Sequence, residues 1–547
     1  MCGIFTILNY SHIDNNMIKD EFEKGKNRGP ENSTLFYNYD LNYVKGFHRL
    51  AINGLNIESN QPINIGDCSL ICNGEIYNYT NLYTLINITP TTNSDCEIII
   101  HLYIKYGIEQ TLRMLDGVYA FVLFTPNNIY VARDPYGVRP LYYTQGFDKG
   151  FIGFTSELKT LCNIANQYHQ KVYQFKPGTF LTIDKTINFH NVIWAIREKT
   201  VFHTPSYTNT FVSLFTPTIV DNMYEKYLEG INYHLKAAVT KRYTTTERPI
   251  ACLLSGGLDS SLIAALVCDI HKKQSSNSNL KIETYSIGLP DSEDIKFARV
   301  VADHIGSNHT EIIVSEEDML QIIPEVILAI ESYDTTTVRA SIGNYLIGKY
   351  IKNNSDAKVI FNGDGSDELA GGYLYMSSCP DSVEYDKETL RLLKDIHLFD
   401  VLRSDKSISS HGLEPRTPFL DRGFVNYYLS IPIELRNHNL GKNVEKYMIR
   451  RAFSNENLLP IDILWRKKEA FSDGVSNKGK SLFQIIQEYT DKQIMDPTLN
   501  LKQKEKVFYR NIFEKAYPKQ LHIVPYYWMP KYILSDDPSA RTLTSYK

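Results

Sequence analysis

Two hydrophobic periodicities divide the chain. In the first third, short apolar or alternating runs recur at Val118 to Phe124, Ile129 to Ala132, Phe151 to Phe154 and Thr179 to Ile183, bounded by Asn, Pro, Gly and Asp. These read as strands of a sheet-rich region. Over 187–220 the pattern fades into Thr, Ser, Pro and Asn, the composition of a linker. From Asp221 onward Met223, Tyr227, Ile231, Leu235 and Ala238 recur every third or fourth residue, which predicts a helix to about Tyr243. Buried strand patterns then alternate with helical ones. The strands are Ile250 to Leu254, Ile282 to Ile287 and Lys358 to Phe361; the helices begin at Leu258, Asp294 and Asp318. The helix from Asp318 to Ser332 carries a capping box with Ser315. Such alternation predicts a parallel sheet with helices on its faces. Ligands of such sheets sit at the carboxyl ends of the strands.

One turn stands out, Leu253-Leu254-Ser255-Gly256-Gly257-Leu258-Asp259-Ser260-Ser261. Two glycines let the backbone bend sharply and approach a ligand. The helix that follows offers free N–H groups and a positive dipole end. Ser255, Ser260 and Ser261 add hydroxyls, so the turn suits a pyrophosphate. Asp259 would repel a bare phosphate and fits only with a cation such as Mg²⁺ between them. A lone Ser-Gly-Gly is also an ordinary capped turn. The full Ser-Gly-Gly-x-Asp-Ser-Ser after a buried strand resembles the PP-loop of ATP pyrophosphatases, which split ATP into AMP and pyrophosphate.

Composition narrows the classes. A chain of 547 residues, 43% of them hydrophobic, is long enough for more than one domain at about 150 residues each. A net charge of −4 gives no bulk attraction to nucleic acid or anionic membrane. No apolar run approaches the ~18 residues of a membrane span. Residues 1–8 are too short an apolar run for a signal peptide, and Asn9 to Lys19 is polar. The eight cysteines lack Cys-x-x-Cys pairs, which argues against zinc and a disulfide scaffold. The expected compartment is the reducing cytoplasm. Oligomeric state stays open, a homodimer included.

Met1-Cys2-Gly3-Ile4-Phe5 alone reads as a start residue and a small buried residue opening a strand. Removal of Met1 would give Cys2 a free α-amine titrating near ~8, a base for its own thiol. Further pieces follow in order: Asn27-Arg28-Gly29-Pro30, His48-Arg49-Leu50-Ala51-Ile52, Asn73-Gly74-Glu75-Ile76-Tyr77-Asn78, Ser94-Asp95-Cys96-Glu97, Asp116-Gly117, Arg133-Asp134 and Ser156-Glu157-Leu158-Lys159. Together they resemble the glutamine amidotransferases with an N-terminal cysteine nucleophile, over residues 2 to about 190. The resemblance implies an α/β/β/α sandwich (an Ntn-type glutaminase), whereas periodicity gives only strands. It also implies that Cys2 attacks the glutamine amide while the Asn73 side chain and Gly74 N–H hold the oxyanion. Arg49 would clamp the α-carboxylate. Asp95 and Glu75 would hold the α-ammonium, and Leu50, Ala51, Ile52 and Asn53 would line the pocket. On charge alone, Arg49 and Asp95 read as a surface ion pair.

The second half resembles the synthetase domain of glutamine-hydrolysing asparagine synthetases. The matches are the PP-loop, Ile287-Gly288-Leu289-Pro290, Tyr333-Asp334 with Thr336 to Ser341, Gly363 to Tyr373, and His397, Asp400, Arg403 and Lys406. They continue with Glu414 to Asp421, Trp465 to Gly474, Asp537-Pro538-Ser539 and Ser545-Tyr546-Lys547. The implied architecture mixes α/β and α+β: a glutaminase domain over 1–190, a linker over 191–220, and a parallel-sheet PP-loop domain with extra helices over 221–547. The implied substrates are glutamine, aspartate and ATP. By resemblance Leu254, Ser255, Gly256, Gly257, Asp259, Ser260, Ile287, Asn362 and Gly363 bind ATP. Asp259 and Asp367 would hold Mg²⁺, Lys468 would neutralise developing charge, and Thr336, Arg339, Asp400 and Arg403 would orient aspartate.

One departure matters. The family usually carries Ser-Gly-Glu where this chain has Asn362-Gly363-Asp364, and the glutamate is tied to intermediate formation. Asp364 keeps the charge but is one methylene shorter, and displacements of about 1 Å can cost about 10²-fold. A second match, Gly474 to Ser481, fits G-x-x-x-x-G-K-S but lacks the preceding buried strand of a true P-loop. It reads instead as a Gly/Lys-rich loop before a helix from Leu482. Two other readings stay open: a PP-loop ligase acting on another carboxylate, such as a β-lactam synthetase, and a catalytically weakened homologue.

Overall fold

A computed structural model describes residues 1–146, 150–188, 191–204, 221–274, 280–469, 474–476 and 480–542. Parts of four sequence readings lie outside these: the linker over 205–220, Ala470 to Asp473, Asn477 to Gly479, and the final Ser545-Tyr546-Lys547.

The first region holds strands β1 (Gly3–Leu8), β2 (Asn32–Asn38), β3 (Tyr43–Arg49), β4 (Ile63–Ile65), β5 (Cys68–Ile76), β6 (Gly117–Phe124), β7 (Asn128–Arg133), β8 (Tyr142–Gln145), β9 (Ile152–Thr155), β10 (Val172–Gln174), β11 (Thr179–Asn188) and β12 (Asn191–Val201). They form two six-stranded sheets, ordered β10-β8-β9-β1-β3-β2 and β12-β11-β7-β6-β5-β4. Alternate residues face opposite sides of each strand. In β1, Ile4 and Leu8 join Phe47, Ile71, Val122 and Leu181 in the core between the sheets. Phe5 and Ile7 face outward onto the helices Asn15–Glu23 and Cys162–Gln167. In β6, Tyr119, Phe121 and Leu123 face the helices Tyr79–Ile86 and Ile98–Met114. Helix, sheet, sheet and helix are therefore stacked as four layers.

The expected linker gives way at its start to β12. This strand pairs with β11 along its whole length. It is an edge strand that buries Val192 and Trp194 and turns Arg197 and Glu198 to solvent. Charges suit an unpaired edge, and they erased the strand's hydrophobic signature.

The second region centres on a parallel sheet ordered β15-β14-β13-β16-β17, with β13 at Ile250–Leu253, β14 at Glu283–Gly288, β15 at Asn308–Ile313, β16 at Val359–Phe361 and β17 at Glu414–Arg416. One face packs on the helices Asp221–Thr244, Leu258–Gln274 and Glu293–Ile305. The other packs on Thr335–Asn354 and Asp400–Ser409 through Ile347, Ile351 and Ile408. The capping box of Ser315 and Asp318 forms. The helix expected from Asp318 to Ser332 is two, Glu316–Gln321 and Ile323–Ile330, because Pro324 lacks an N–H and starts a new first turn. No helix among the described residues is long and apolar enough to cross a membrane. All eight cysteines are free.

The regions meet through buried charge. Arg28 pairs with Asp405 at 2.8 Å, and Arg139 reaches Asp405 at 3.4 Å and Glu414 at 3.6 Å. Lys406 pairs with Glu331, whose carboxylate also accepts the Leu158 and Lys159 N–H groups at 2.8 and 2.9 Å. Arg416 joins Glu414 at 2.9 Å and Glu75 at 3.4 Å. Asp134 accepts three N–H bonds from Tyr136, Val138 and Arg139, shaping the turn from which Arg139 crosses. Ions buried like this are tolerable only when each has its partner.

Candidate functional sites

The first site gathers at the head of β1. Cys2 Sγ lies 3.5 Å from the Leu50 carbonyl, and burial pushes its thiol up. Arg28 Nε donates to the Cys2 carbonyl at 2.9 Å. Met1 precedes Cys2 with its ammonium buried, donating to the Leu413 carbonyl at 3.3 Å and lowered by burial to about 6.

Asn73 lies in β5, wholly buried, and neither side-chain heteroatom has a hydrogen-bond partner. Buried amides are almost always satisfied, so an exception asks for an explanation. At Gly74 a Cβ would lie 2.4 Å from the Val118 carbonyl, so no larger residue fits beside it.

Arg49 ends β3 and is 7% exposed, not a surface residue. Its guanidinium donates to the Asn56 carbonyl at 3.1 Å, to Asn60 Oδ1 at 2.6 Å and to the Gly54 carbonyl. It makes no ion pair with a described carboxylate, which sets aside the surface-pair reading, and it lies within electrostatic reach of Cys2. Asp95 accepts the Ile76 N–H at 2.6 Å, and burial raises its carboxyl to about 6. Glu75 is pushed well up by burial and by Asp95, and takes Asn53 Nδ2 at 2.6 Å and Arg416. Leu50, Ala51, Ile52 and Asn53 form the buried loop after β3.

The second site is a cavity beyond the carboxyl ends of β13, β14 and β16. Its walls bring together Leu254, Ser255, Gly257, Asp259 and Ser260 with Ile287, Asn362, Gly363, Asp364, Asp367, Thr336, Asp400, Arg403 and Lys468. Two expected residues do not line it. Gly256 lies beneath, at φ +71, where a Cβ would meet Phe297 Cβ at 2.4 Å; it makes the bend rather than the contact.

Arg339 is corrected outright. Thr336 and Ala340, one helical turn apart, face the cavity. Arg339 does not line the cavity and forks onto Glu505 at 2.8 and 2.6 Å and Asp537 at 2.8 and 3.0 Å. It anchors the C-terminal segment, with four of its five N–H donors spent there. Thr336 Oγ1, by contrast, is buried without a partner.

Four charges close one end of the cavity. Lys446 Nζ lies 2.5 Å from both Asp259 and Asp367, and Lys468 Nζ lies 2.6 Å from Asp367. The lysines hold Asp367 far below the usual carboxylate range, and the aspartates raise Lys468 despite its burial. The cation that Asp259 demanded in sequence is thus partly the chain's own. Lys446 belongs to no sequence motif that would signal it: it caps the helix Tyr447–Ala452 in a left-handed turn, φ 57. Gly372 makes room for it, since a Cβ there would fall 2.0 Å from Lys446 Cε.

At the other end, Asp400 pairs with Arg403 and accepts the Gly365 N–H at 3.2 Å. Burial and the Asp400 charge raise Asp364 to about 7. Asn362 Nδ2 donates to Ser404 Oγ at 2.8 Å. The segment from Gly474 is no P-loop start: Val475 takes the Leu289 N–H at 2.8 Å, and Ser481 caps the helix Leu482–Gln493.

Known protein families match both regions. The family "Asparagine synthase" matches residues 230–385 and 377–532, and "Glutamine amidotransferase domain" matches 1–203. The chain is 42% identical to the glutamine-hydrolysing asparagine synthetase of Gallus gallus over 571 aligned residues, covering 100% of this chain and 99% of that protein. The Homo sapiens asparagine synthetase is also 42% identical, over 95% of this chain and 94% of its own length. With both regions matched and the whole length shared, the chain belongs to the family of glutamine-hydrolysing asparagine synthetases.

Proposed function

We propose that this protein makes L-asparagine from L-aspartate, using ATP and the amide nitrogen of glutamine. After Met1 removal, the Cys2 α-amine takes the thiol proton and Sγ attacks the glutamine side-chain carbonyl. Asn73 Nδ2 and the Gly74 N–H receive the oxyanion, and ammonia leaves with the proton. Water then releases glutamate from the thioester. Arg49 holds the substrate α-carboxylate; Asp95 and Glu75 face its ammonium.

In the second cavity the aspartate β-carboxylate attacks the α-phosphorus of ATP, pyrophosphate leaves, and ammonia displaces AMP from the β-aspartyl adenylate. Lys446 and Lys468 stabilise negative charge gathering on the leaving pyrophosphate. Asp364, titrating near neutrality, suits proton exchange at the amide-forming step. Thr336, Asp400 and Arg403 are the groups placed to orient aspartate.

Asp259 and Asp367 are hard oxygen donors on one wall, and no group of three or more metal-binding side chains occurs among the described residues. That donor set fits Mg²⁺, which takes one or two carboxylates and completes its shell with phosphates and water. Bound there, Mg²⁺ would neutralise phosphate charge.

The observation that carries this reading is the buried, unpartnered Asn73 amide beside a glycine that admits no Cβ. The test is Cys2→Ala. Asparagine formation from glutamine should fall to background while formation from ammonium persists. Glutamine-driven synthesis surviving in the variant would overturn the assignment of the nucleophile.

A further inference from the structure

The loop that follows Arg49 is held from outside its own region. The Ala51 carbonyl accepts Arg248 Nε at 2.8 Å, and the Ile52 carbonyl accepts the Glu247 N–H at 3.0 Å. The Gly54 N–H donates to Glu247 Oε1 at 2.6 Å, and Asn53 Nδ2 donates to the Thr245 carbonyl at 3.1 Å. Arg248 also grips Glu31 at 2.6 Å, whose other oxygen accepts the Ala51 N–H at 2.7 Å. Residues 245–249 join the helix Asp221–Thr244 to β13, so they lie in the ATP-binding half, just ahead of the strand that ends in the PP-loop.

The loop in turn fixes Arg49. The Gly54 carbonyl accepts from its guanidinium, and the Asn53 carbonyl lies 3.5 Å from it. That Asn53 carbonyl belongs to the same peptide plane as the Gly54 N–H bonded to Glu247. Gly54 sits at φ +63, where a Cβ would strike Ser59 Oγ at 2.4 Å, so only glycine gives the loop this path.

We propose that Glu247 and Arg248 are positioning residues for glutamine: the synthetase half completes the glutamine pocket by setting the loop that aims Arg49. This rests on the reading that Arg49 and its loop bind glutamine. Neither residue need touch the substrate. Their loss should weaken glutamine binding and leave the ATP chemistry alone.

The test compares glutamine and ammonium as nitrogen sources in the full chain. Glu247→Ala and Arg248→Ala should each raise the glutamine KM roughly five- to tenfold, since each removes hydrogen bonds to the loop backbone. The kcat at saturating glutamine, and both constants with ammonium, should stay near wild type. Glu247→Gln keeps the accepting oxygen and should restore the KM. Arg248→Lys cannot span both the Ala51 carbonyl and Glu31 and should not. A glutamine KM within twofold of wild type in both alanine variants would overturn the proposal. So would a parallel loss with glutamine and ammonium, which would mark a general structural role through β13. A wild-type chain that makes asparagine from neither source would overturn the proposed function itself, and the positioning role with it.

Discussion

The two pockets satisfy their polar groups in opposite ways. Around Cys2 the decisive group is neutral and left without a partner: Asn73 has both heteroatoms buried and unbonded. Around the PP-loop the decisive groups are charged and already matched, with Asp259, Asp367, Lys446 and Lys468 neutralising one another. Under the proposed function, the difference follows from the chemistry each site would meet. A glutamine side chain is uncharged until attacked, so its donors can wait unpaired at the cost of one desolvated amide. A triphosphate arrives with several charges, and a wall of unmatched lysines would be far more costly to bury.

Lys446→Met should break the matched site most severely. It keeps the unbranched apolar stem and removes the ammonium shared by two carboxylates. Formation of AMP should fall about 10²–10³-fold, and the thermal midpoint should fall with it because a buried ion pair loses one partner. Pyrophosphate release and calorimetry measure the two effects. Asn73→Ala is the contrasting case. Glutamine hydrolysis should fall by a similar factor of about 10²–10³, ammonium-driven synthesis should not change, and the midpoint should hold or rise because a buried unsatisfied group has been deleted. A midpoint falling as far as in Lys446→Met would erase the distinction between the sites.

The smallest effect is a pH dependence at Asp364. Its folded-state carboxyl is raised from 3.8 to about 7, by burial first and the Asp400 charge second, against the opposing pull of Arg403 and Ser404. The protonated form is therefore favoured by folding. Its contribution to stability is complete below about pH 4 and is lost as pH rises to about 7. Asp364→Asn cannot lose it, so the midpoint of the variant should gain on wild type between pH 5 and pH 8. A constant difference across that range would place Asp364 in a more polar setting.

Much of this was legible in the chain. The strand-to-helix turn at Ser255 to Ser261 is local: glycine, hydroxyl and dipole act within a few residues. The motifs around Cys2, Asn73 and the PP-loop are likewise local, and they carry the family resemblance. What escaped was settled at long range. Arg339 sits in a motif beside Thr336, yet its orientation is fixed by Glu505 and Asp537, more than one hundred and sixty residues downstream. Lys446 gains its meaning from partners on two other segments. β12 was hidden because an edge strand has one face to show the core and carries charge on the other.

The interface ions bear on how such a protein could be re-engineered. Its two catalytic halves invite treatment as interchangeable modules, each portable to a new partner. Arg28, Arg139 and Arg416 argue otherwise, for each is wholly buried and has a counter-charge across the seam. A chimera drawing one half from a distant relative would strand those charges in a dry interior unless the matching acids came along. The unit of inheritance is the pair of halves together with the ionic lock between them.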